Sequence, residues 1–364
     1  MTETQPIRSA LPVSTEDVRV ESERAAARSK GANRWKAIVA RWQTPSPLRA
    51  SWQILNSVGA YLAVWGLIYL SLAVSWWLVI PLAILAGGLL VRVFIIFHDC
   101  GHGSFLASRS ANAFWGSITG LLTMTPYHHW RGEHAIHHGT TGDLDRRGIG
   151  DIWTMTVNEY IASTRWKRLG YRLVRNPFVL FVLAPLVLLL VIQRFSRRGA
   201  DRRERLSVYG MNLAIVVMIA GMVSIFGWLP YLIIQLTIML VAGSAGLWLF
   251  YLQHQFEDAY WERGDDWDYA AAALRGSSFF KLPRVLQWFS GNIGFHHIHH
   301  LSPRIPNYHL EACHRSDPMF QEVKPMTMLA SLRTLGLRLW DESSKKLVGW
   351  RHLRDLKRAK RGAA

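Results

Sequence analysis

The sequence has little cysteine and little acid. Its only cysteines, Cys100 and Cys313, are too few for a disulfide framework or a cysteine-based zinc site. So few cysteines are typical of a protein whose water-exposed parts face the reducing cytoplasm. Acidic residues number 25 against 42 Lys and Arg, a net charge of +17 before the 15 histidines are counted. Such an excess of base suggests an anionic partner, either nucleic acid or an acidic membrane face.

Two catalytic signatures are also missing. No histidine is followed by Glu in an H-E-x-x-H segment, which disfavours a zinc metalloprotease, and no G-x-x-x-x-G-K-[ST] phosphate loop is present. What the chain has instead is apolar sequence: half of its residues are hydrophobic, including 17 Trp and 15 Phe. This content excludes disorder for the bulk of the chain. The long uncharged apolar runs favour a protein embedded in a lipid bilayer over a soluble nucleic-acid-binding module.

Four apolar runs are each long enough to cross a hydrocarbon core of about 30 Å as a helix. They cover residues Ile54–Val74, Trp76–Phe97, Met211–Leu229 and Tyr231–Gln253. The sequence therefore predicts an all-α integral membrane protein with four transmembrane helices in two hairpins. A cytoplasmic helical cap would complete the fold.

Two further apolar stretches are expected not to span. Ala113–Thr125 is too short and should lie in the interface. Pro177–Gln193 contains Pro185 and precedes a loop with six arginines, which the positive-inside rule places in the cytoplasm. It should therefore dip in and return, or lie in the interface. Both termini then face the cytoplasm.

The polar ends of the chain divide it into three parts. Residues 1–34 are predicted to be a disordered cytoplasmic tail and residues 35–338 the membrane domain. Residues 339–364 are predicted to be a basic cytoplasmic tail. Within this tail a helix lying on anionic lipid and a solvated segment both remain open.

The histidines are clustered rather than scattered. His98 and His102 are four residues apart, and two later clusters repeat one spacing, at His134, His137 and His138 and at His296, His299 and His300. Positions i, i+3 and i+4 of a helix share a face, so each cluster can aim two or three imidazoles at one point. All three clusters, with His254 at the end of the last span, fall on the cytoplasmic side of the predicted topology. Eight or nine neutral imidazoles could hold two metal ions, although imidazole alone does not name the metal.

This order of three histidine boxes resembles the membrane fatty-acid desaturases. The flanks Thr125-Pro126-Tyr127 and Gly142-Asp143-Leu144-Asp145-Arg146 resemble the acyl-lipid Δ12/ω6 branch, as does Tyr251 to Asp258. The run Trp288 to Phe295, before the third box, is similar to bacterial acyl-lipid desaturases, which include Δ5 and Δ12 enzymes. The resemblance covers roughly residues 92–160 and 244–316.

The resemblance implies which residues bind two non-haem iron ions. The box ligands would be His98, His102, His134, His137, His138, His296, His299 and His300, with His254 as the additional histidine ahead of the third box. The stearoyl-CoA branch has an Asn one turn before that histidine, where this chain has Phe250, and Asn292 is our substitute candidate. Acids near the boxes could orient the imidazoles. The candidates are Asp99, Glu133, Asp143, Asp145, Glu257 and Asp258. His128, His129 and His297 fall outside the boxes and are expected in an outer shell or at the surface.

The implied reaction is O2-dependent desaturation of a lipid-linked acyl chain, which requires a cofactor and two external electrons. No flavin motif and no His-Pro-Gly-Gly of a cytochrome b5 domain is present. A separate ferredoxin- or flavodoxin-like carrier is therefore expected, and no nucleic acid.

Arg131, Arg146 and Arg147 could hold a phosphate headgroup or meet the anionic leaflet, the second being favoured. A hydroxylase or acetylenase on the same scaffold remains open. A histidine-rich metal transporter is disfavoured, because Arg92 is the only charged residue in the four runs.

Overall fold

The computed structural model describes residues 34–362, and in these residues helices dominate. The predicted tail, residues 1–34, lies outside the described residues except for Arg34. The described helices are α1 (34–40), α2 (Pro47–Leu72), α3 (Trp76–His102), α4 (Arg109–Leu122), α5 (Tyr127–Thr140), α6 (Val157–Ala162), α7 (Arg165–Val174), α8 (Val179–Arg194), α9 (Arg202–Phe226), α10 (Trp228–His254), α11 (Tyr269–Gly276), α12 (Arg284–Phe289), α13 (His296–Leu301), α14 (Asn307–Arg315), α15 (Pro318–Gln321), α16 (Met328–Thr334) and α17 (Trp350–Gly362).

Four of these helices, α2, α3, α9 and α10, are long and apolar enough to cross a membrane, which confirms the predicted number. They form two pairs with short connections, across Ala73–Ser75 and at Gly227. Each is longer than its apolar run: α3 continues through the polar residues up to His102, for example, and α9 begins in the basic segment at Arg202. Helix α10 packs along α3, and the approach is close at Gly87, where an added Cβ would lie 2.6 Å from the Cβ of Val241.

Local capping explains where α3 begins and ends. The Ser75 side chain accepts a hydrogen bond from the Trp77 amide at the start of the helix. At the other end Gly103 has φ of 70°, the left-handed conformation that stops a helix with little strain. The first histidine box therefore occupies the last two turns of α3.

The two shorter apolar segments form helices of different character. Ala113–Thr125 lies largely in α4, whose Phe114 and Ile118 are exposed. The segment around Pro185 forms α8, which is irregular and bent by 64° from α7. The membrane depth of both, and the division at residues 34 and 338, stay predictions.

Residues 34–362 contain five strands of two or three residues, which join the segments between helices and do not alter the helical fold class. β1 (Met155–Thr156), β4 (Leu339–Asp341) and β5 (Lys346–Val348) form one sheet, with β1 parallel to β4 and β4 antiparallel to β5. β2 (Phe279–Phe280) pairs in parallel with β3 (Pro325–Met326).

The chain after residue 338 is packed against the rest of the protein. Trp340 and Leu347 are buried in the three-stranded sheet, and Leu353 of α17 packs in a cluster with Tyr160 and Tyr171. The apolar side of α17 therefore packs against protein, and the contact of this tail with lipid or solvent stays a prediction.

Candidate metal centre

The nine predicted histidine ligands lie together in two buried or half-buried groups. Within each group, one nitrogen from every imidazole lies within 4.8 Å of the others. The five-histidine group contains His98, His102, His134, His138 and His299. The four-histidine group contains His137, His254, His296 and His300.

Helix geometry explains how the boxes divide between the groups. His134 and His138, one turn apart on α5, belong to the five-histidine group, whereas His137 belongs to the other. Neighbouring residues on a helix point about 100° apart, so His137 and His138 face different sides. Helix α13 does the reverse. His299 belongs to the five-histidine group, whereas His296 and His300, which are one turn apart, belong to the four-histidine group. Each H-x-x-H-H box thus aims two imidazoles at one point, as predicted, and the third at the second point.

The donor atoms fit metal ions. His138 Nε2 lies 3.1 Å from Nε2 of both His134 and His299, and His254 Nε2 lies 3.0 Å from that of His296. The Nε2 atoms of His102, His137 and His300 are buried and have no hydrogen-bond partner among the described residues. Unpartnered buried nitrogens cost about 1–3 kcal/mol each unless a ligand satisfies them. One ion in each group would satisfy these nitrogens.

The surroundings keep the imidazoles neutral. Burial, followed by the charge of neighbouring histidines, lowers the pKa of five ligands outside the long helices well below the ordinary value of 6.5. They are His134, His138, His296, His299 and His300. A metal needs the neutral imidazole, so the site is prepared for metal near neutral pH.

Three of the predicted ligands have a partner on Nδ1 of the imidazole ring. His98 Nδ1 lies 3.0 Å from Asp99 Oδ1, and Asp99 Oδ2 accepts two hydrogen bonds from Asn307. His254 Nδ1 lies 3.2 Å from the carbonyl oxygen of Gly276. His137 Nδ1 lies 2.8 Å from Asp151 Oδ1. Such partners fix the ring orientation and make the opposite nitrogen a better ligand.

Asp151 was missed by the sequence reasoning. It stands thirteen residues after the second box, in a loop, and no spacing rule connects it with His137. Of the acids named from sequence, Asp99 alone is within hydrogen-bonding distance of a box histidine. Glu133 lies 3.7 Å from His129 Nε2 instead.

The remaining candidate acids are engaged elsewhere. Buried Asp143 accepts hydrogen bonds from the Asp145 amide and the Arg146 guanidinium, and so stabilises its own turn. Asp145 pairs with Arg263. The side chains of Glu257 and Asp258 are 62% and 77% exposed and pair with a surface lysine, Lys346. The structure does not bring these four acids to the histidine groups.

Asn292 is likewise used outside the groups. Its side chain accepts a hydrogen bond from Gln287 at 2.9 Å and donates one to the Asn307 carbonyl at 3.1 Å. Its φ of 61° identifies it as a turn residue before the third box. Phe250 stands against the four-histidine group, with its ring centroid 5.2 Å from that of His137 and 5.8 Å from that of His254. That side of the group is therefore apolar.

The histidines outside the boxes have separate partners. His297 is fully buried, with its Nε2 3.0 Å from His314 Nδ1. His129 is buried with its Nδ1 2.8 Å from Glu204 Oε1, while half-buried His128 accepts a hydrogen bond from Arg203. Two of the three are thus interior residues that link elements.

The fold and these groups together define a mostly helical protein with four helices able to span a membrane and a buried histidine cluster that could hold metal. A family model described as fatty acid desaturase matches residues 75–328. The chain is 48% identical over 318 residues to a fatty acid desaturase of Bacillus subtilis, covering 87% of this chain and 90% of that protein. The chain therefore belongs to the fatty acid desaturase family.

Two more distant relatives carry more specific names, and both are from Synechocystis. An sn-1 oleoyl-lipid 12-desaturase is 29% identical over 262 residues, which cover 69% of this chain and 70% of the relative. An sn-1 acyl-lipid omega-3 desaturase (ferredoxin) is 26% identical over 286 residues, covering 71% and 73%. This chain is thus an oxidoreductase of a family that includes acyl-lipid desaturases.

Proposed function

We propose that this enzyme introduces a cis double bond into a lipid-linked acyl chain, using O2 and two external electrons at a di-iron centre. The observation that carries the proposal is the division of nine buried histidines into groups of five and four. The acyl-lipid names of its relatives support the substrate class.

Iron ions held by the two groups would supply the O2 activation needed to remove two hydrogens from unactivated methylenes, which no side chain can do. The chain's own residues position the ligands. Asp99, Asp151 and the Gly276 carbonyl each hold one imidazole in place. Phe250 keeps one side of the four-histidine group apolar, which excludes water where an acyl chain would approach.

The proposed location is the bacterial inner membrane, with the active site and both termini in the cytoplasm. Four spans, with the bent pair of α7 and α8 not crossing the membrane, would place both ends on one side, and the arginines between α8 and α9 favour the cytoplasm for that side. A periplasmic signal from a reporter fused after Arg203 would contradict this topology.

The proposed electron donor is a separate ferredoxin- or flavodoxin-like protein. An excess of 42 Lys and Arg over 25 Asp and Glu suits an acidic carrier and an anionic leaflet. One relative carries the word ferredoxin in its name, which agrees with a small soluble donor.

The proposal is tested by fatty-acid profiling of a host that expresses the protein, with mass spectrometric location of double bonds. We expect new monounsaturated or further unsaturated acyl chains from the wild type. His137→Ala and His299→Ala should each abolish them, while His309→Ala, which changes a histidine outside both groups, should not. Membrane insertion of all variants is checked by immunoblotting of membrane fractions. Hydroxy-acyl products without new double bonds would favour the hydroxylase alternative.

A further inference from the structure

A cavity of about 790 Å³ borders the five-histidine group. Its walls come from the segment before α2, the end of α3, the starts of α4 and α5, and the loop after α13. His102, a member of the five-histidine group, lines this cavity together with Tyr127 and Cys100. We call it the arginine cavity, because it is also lined by Arg109, Arg131, Arg203 and Arg304.

The arginine cavity has an unbalanced positive charge. Thr44, Ser104 and Asn112 are among its polar lining residues, and among the described residues no Asp or Glu lines it. Within residues 34–362, none of the four arginines forms an ion pair with a carboxylate, and Arg203 donates only to His128. Clustered cations in a concave site focus a positive potential and attract an anion.

The position of the arginine cavity corresponds to the membrane surface. Arg203 stands at the start of α9, and His102 ends α3, so two of the four long apolar helices terminate there. Helix α4 begins at Arg109, and further along it Phe114 is 59% exposed and Ile118 is exposed as well. A helix with an exposed apolar side and an arginine at its start suits the interface, where lipid phosphates lie.

We infer that the arginine cavity binds the phosphodiester headgroup of the lipid whose acyl chain is the substrate, an inference that rests on the proposed function. Arginine binds phosphate through paired, charge-assisted hydrogen bonds. The volume falls in the range of small-molecule pockets, and its concave form suits a headgroup better than the surface of a carrier protein. A headgroup bound beside His102 places the beginning of its acyl chain next to the histidine groups.

Binding is measured with the full-length, iron-loaded protein in non-ionic detergent, without O2 or electron donor so that no turnover occurs. The probes are dihexanoylphosphatidylglycerol, uncharged dihexanoylglycerol and inorganic phosphate, followed by intrinsic tryptophan fluorescence. We expect the phosphodiester to bind more tightly than the other two. The double variant Arg131→Gln/Arg304→Gln should weaken that binding about tenfold or more. The control is Arg351→Gln on α17, which should leave the Kd within about twofold, since surface charges contribute little.

Three results would overturn the inference. The first is equal binding of the charged and uncharged lipids, or an unchanged Kd in the double variant with its melting temperature preserved. The second is binding of inorganic phosphate as tight as that of the lipid, which would assign the cavity to a free anion. The third combines this measurement with a separate turnover assay: unchanged lipid binding of the double variant together with a raised KM for reduced ferredoxin would make this face a carrier-docking surface. If lipid binding behaves as expected but the host gains no double bonds, the proposed function fails while the phosphodiester site stands.

Discussion

Asp151 provides a sharp test of how the four-histidine group is held. Its Oδ1 lies 2.8 Å from His137 Nδ1, its Oδ2 accepts a hydrogen bond from the Gly148 amide at 3.2 Å, and its side chain is 9% exposed. His137 Nε2, the opposite nitrogen of the ring, is buried and free to face a metal. Asp151→Ala removes the group that orients this ligand.

We expect Asp151→Ala to lower the affinity for only one of the two metal ions. A partner of this kind is worth about 10- to 100-fold in metal affinity, or about 1.4–2.7 kcal/mol. Thr141 Oγ1 lies 3.5 Å from His137 Nδ1, too far to replace the carboxylate at full strength. Asp151→Asn keeps an acceptor of similar size and should lie between the wild type and Asp151→Ala.

The assay is a titration of metal-free protein with Fe²⁺ under anaerobic conditions, in competition with a chelator. We expect two binding phases for the wild type and weakening of only one phase in Asp151→Ala. Asp145→Asn is the matched control, because Asp145 is half-exposed and pairs with Arg263 instead of a ligand. Two unchanged phases in Asp151→Ala would refute the reasoning, and so would equal weakening of both.

Three further predictions concern packing, surface acids and pH. Gly116→Ala places a Cβ 2.2 Å from Cε2 of Tyr127 and should destabilise the protein by about 1–3 kcal/mol in thermal unfolding, whereas Gly170→Ala, where nothing lies within 4 Å, should not destabilise it. The double variant Glu257→Gln/Asp258→Asn should keep wild-type iron content and product yield, since both acids are on the surface. Loss of iron would show that these acids contribute to the metal site. The metal-free protein should lose thermal stability as pH falls below about 6.5. The free energy of unfolding should fall by about 1.4 kcal/mol per pH unit for each proton that the unfolded chain binds and the folded protein does not. The reason is that the folded pKa values of five buried histidines lie below their unfolded value of 6.5, so the unfolded chain binds more protons there, and a flat melting temperature between pH 7 and 5 would contradict it.

Much of the site could be predicted because its information is local. The spacing of His134, His137 and His138 determines which imidazoles share a helix face, and the apolar run up to Phe97 determines that His98 and His102 come at the end of a span. The assignment of each imidazole to one group required the structure. It depends on how α5 and α13 pack against each other, and helical spacing does not specify that rotation.

The partners of the ligands were less predictable because they are distant in sequence or belong to the backbone. Asp151 reaches His137 through a loop, and the Gly276 carbonyl reaches His254 from a separate helix. Closeness in sequence misled the reasoning at Glu257 and Asp258, which follow His254 by three and four residues but stand beyond the end of α10, facing out.

The main prediction is that nine histidines hold two metal ions, one in each group. It is tested most directly by the iron content of the purified full-length protein after anaerobic reconstitution, measured by inductively coupled plasma mass spectrometry against amino-acid analysis. The two groups of five and four imidazoles predict two iron ions per chain. A stoichiometry of one or none, in protein that remains folded, would contradict the account.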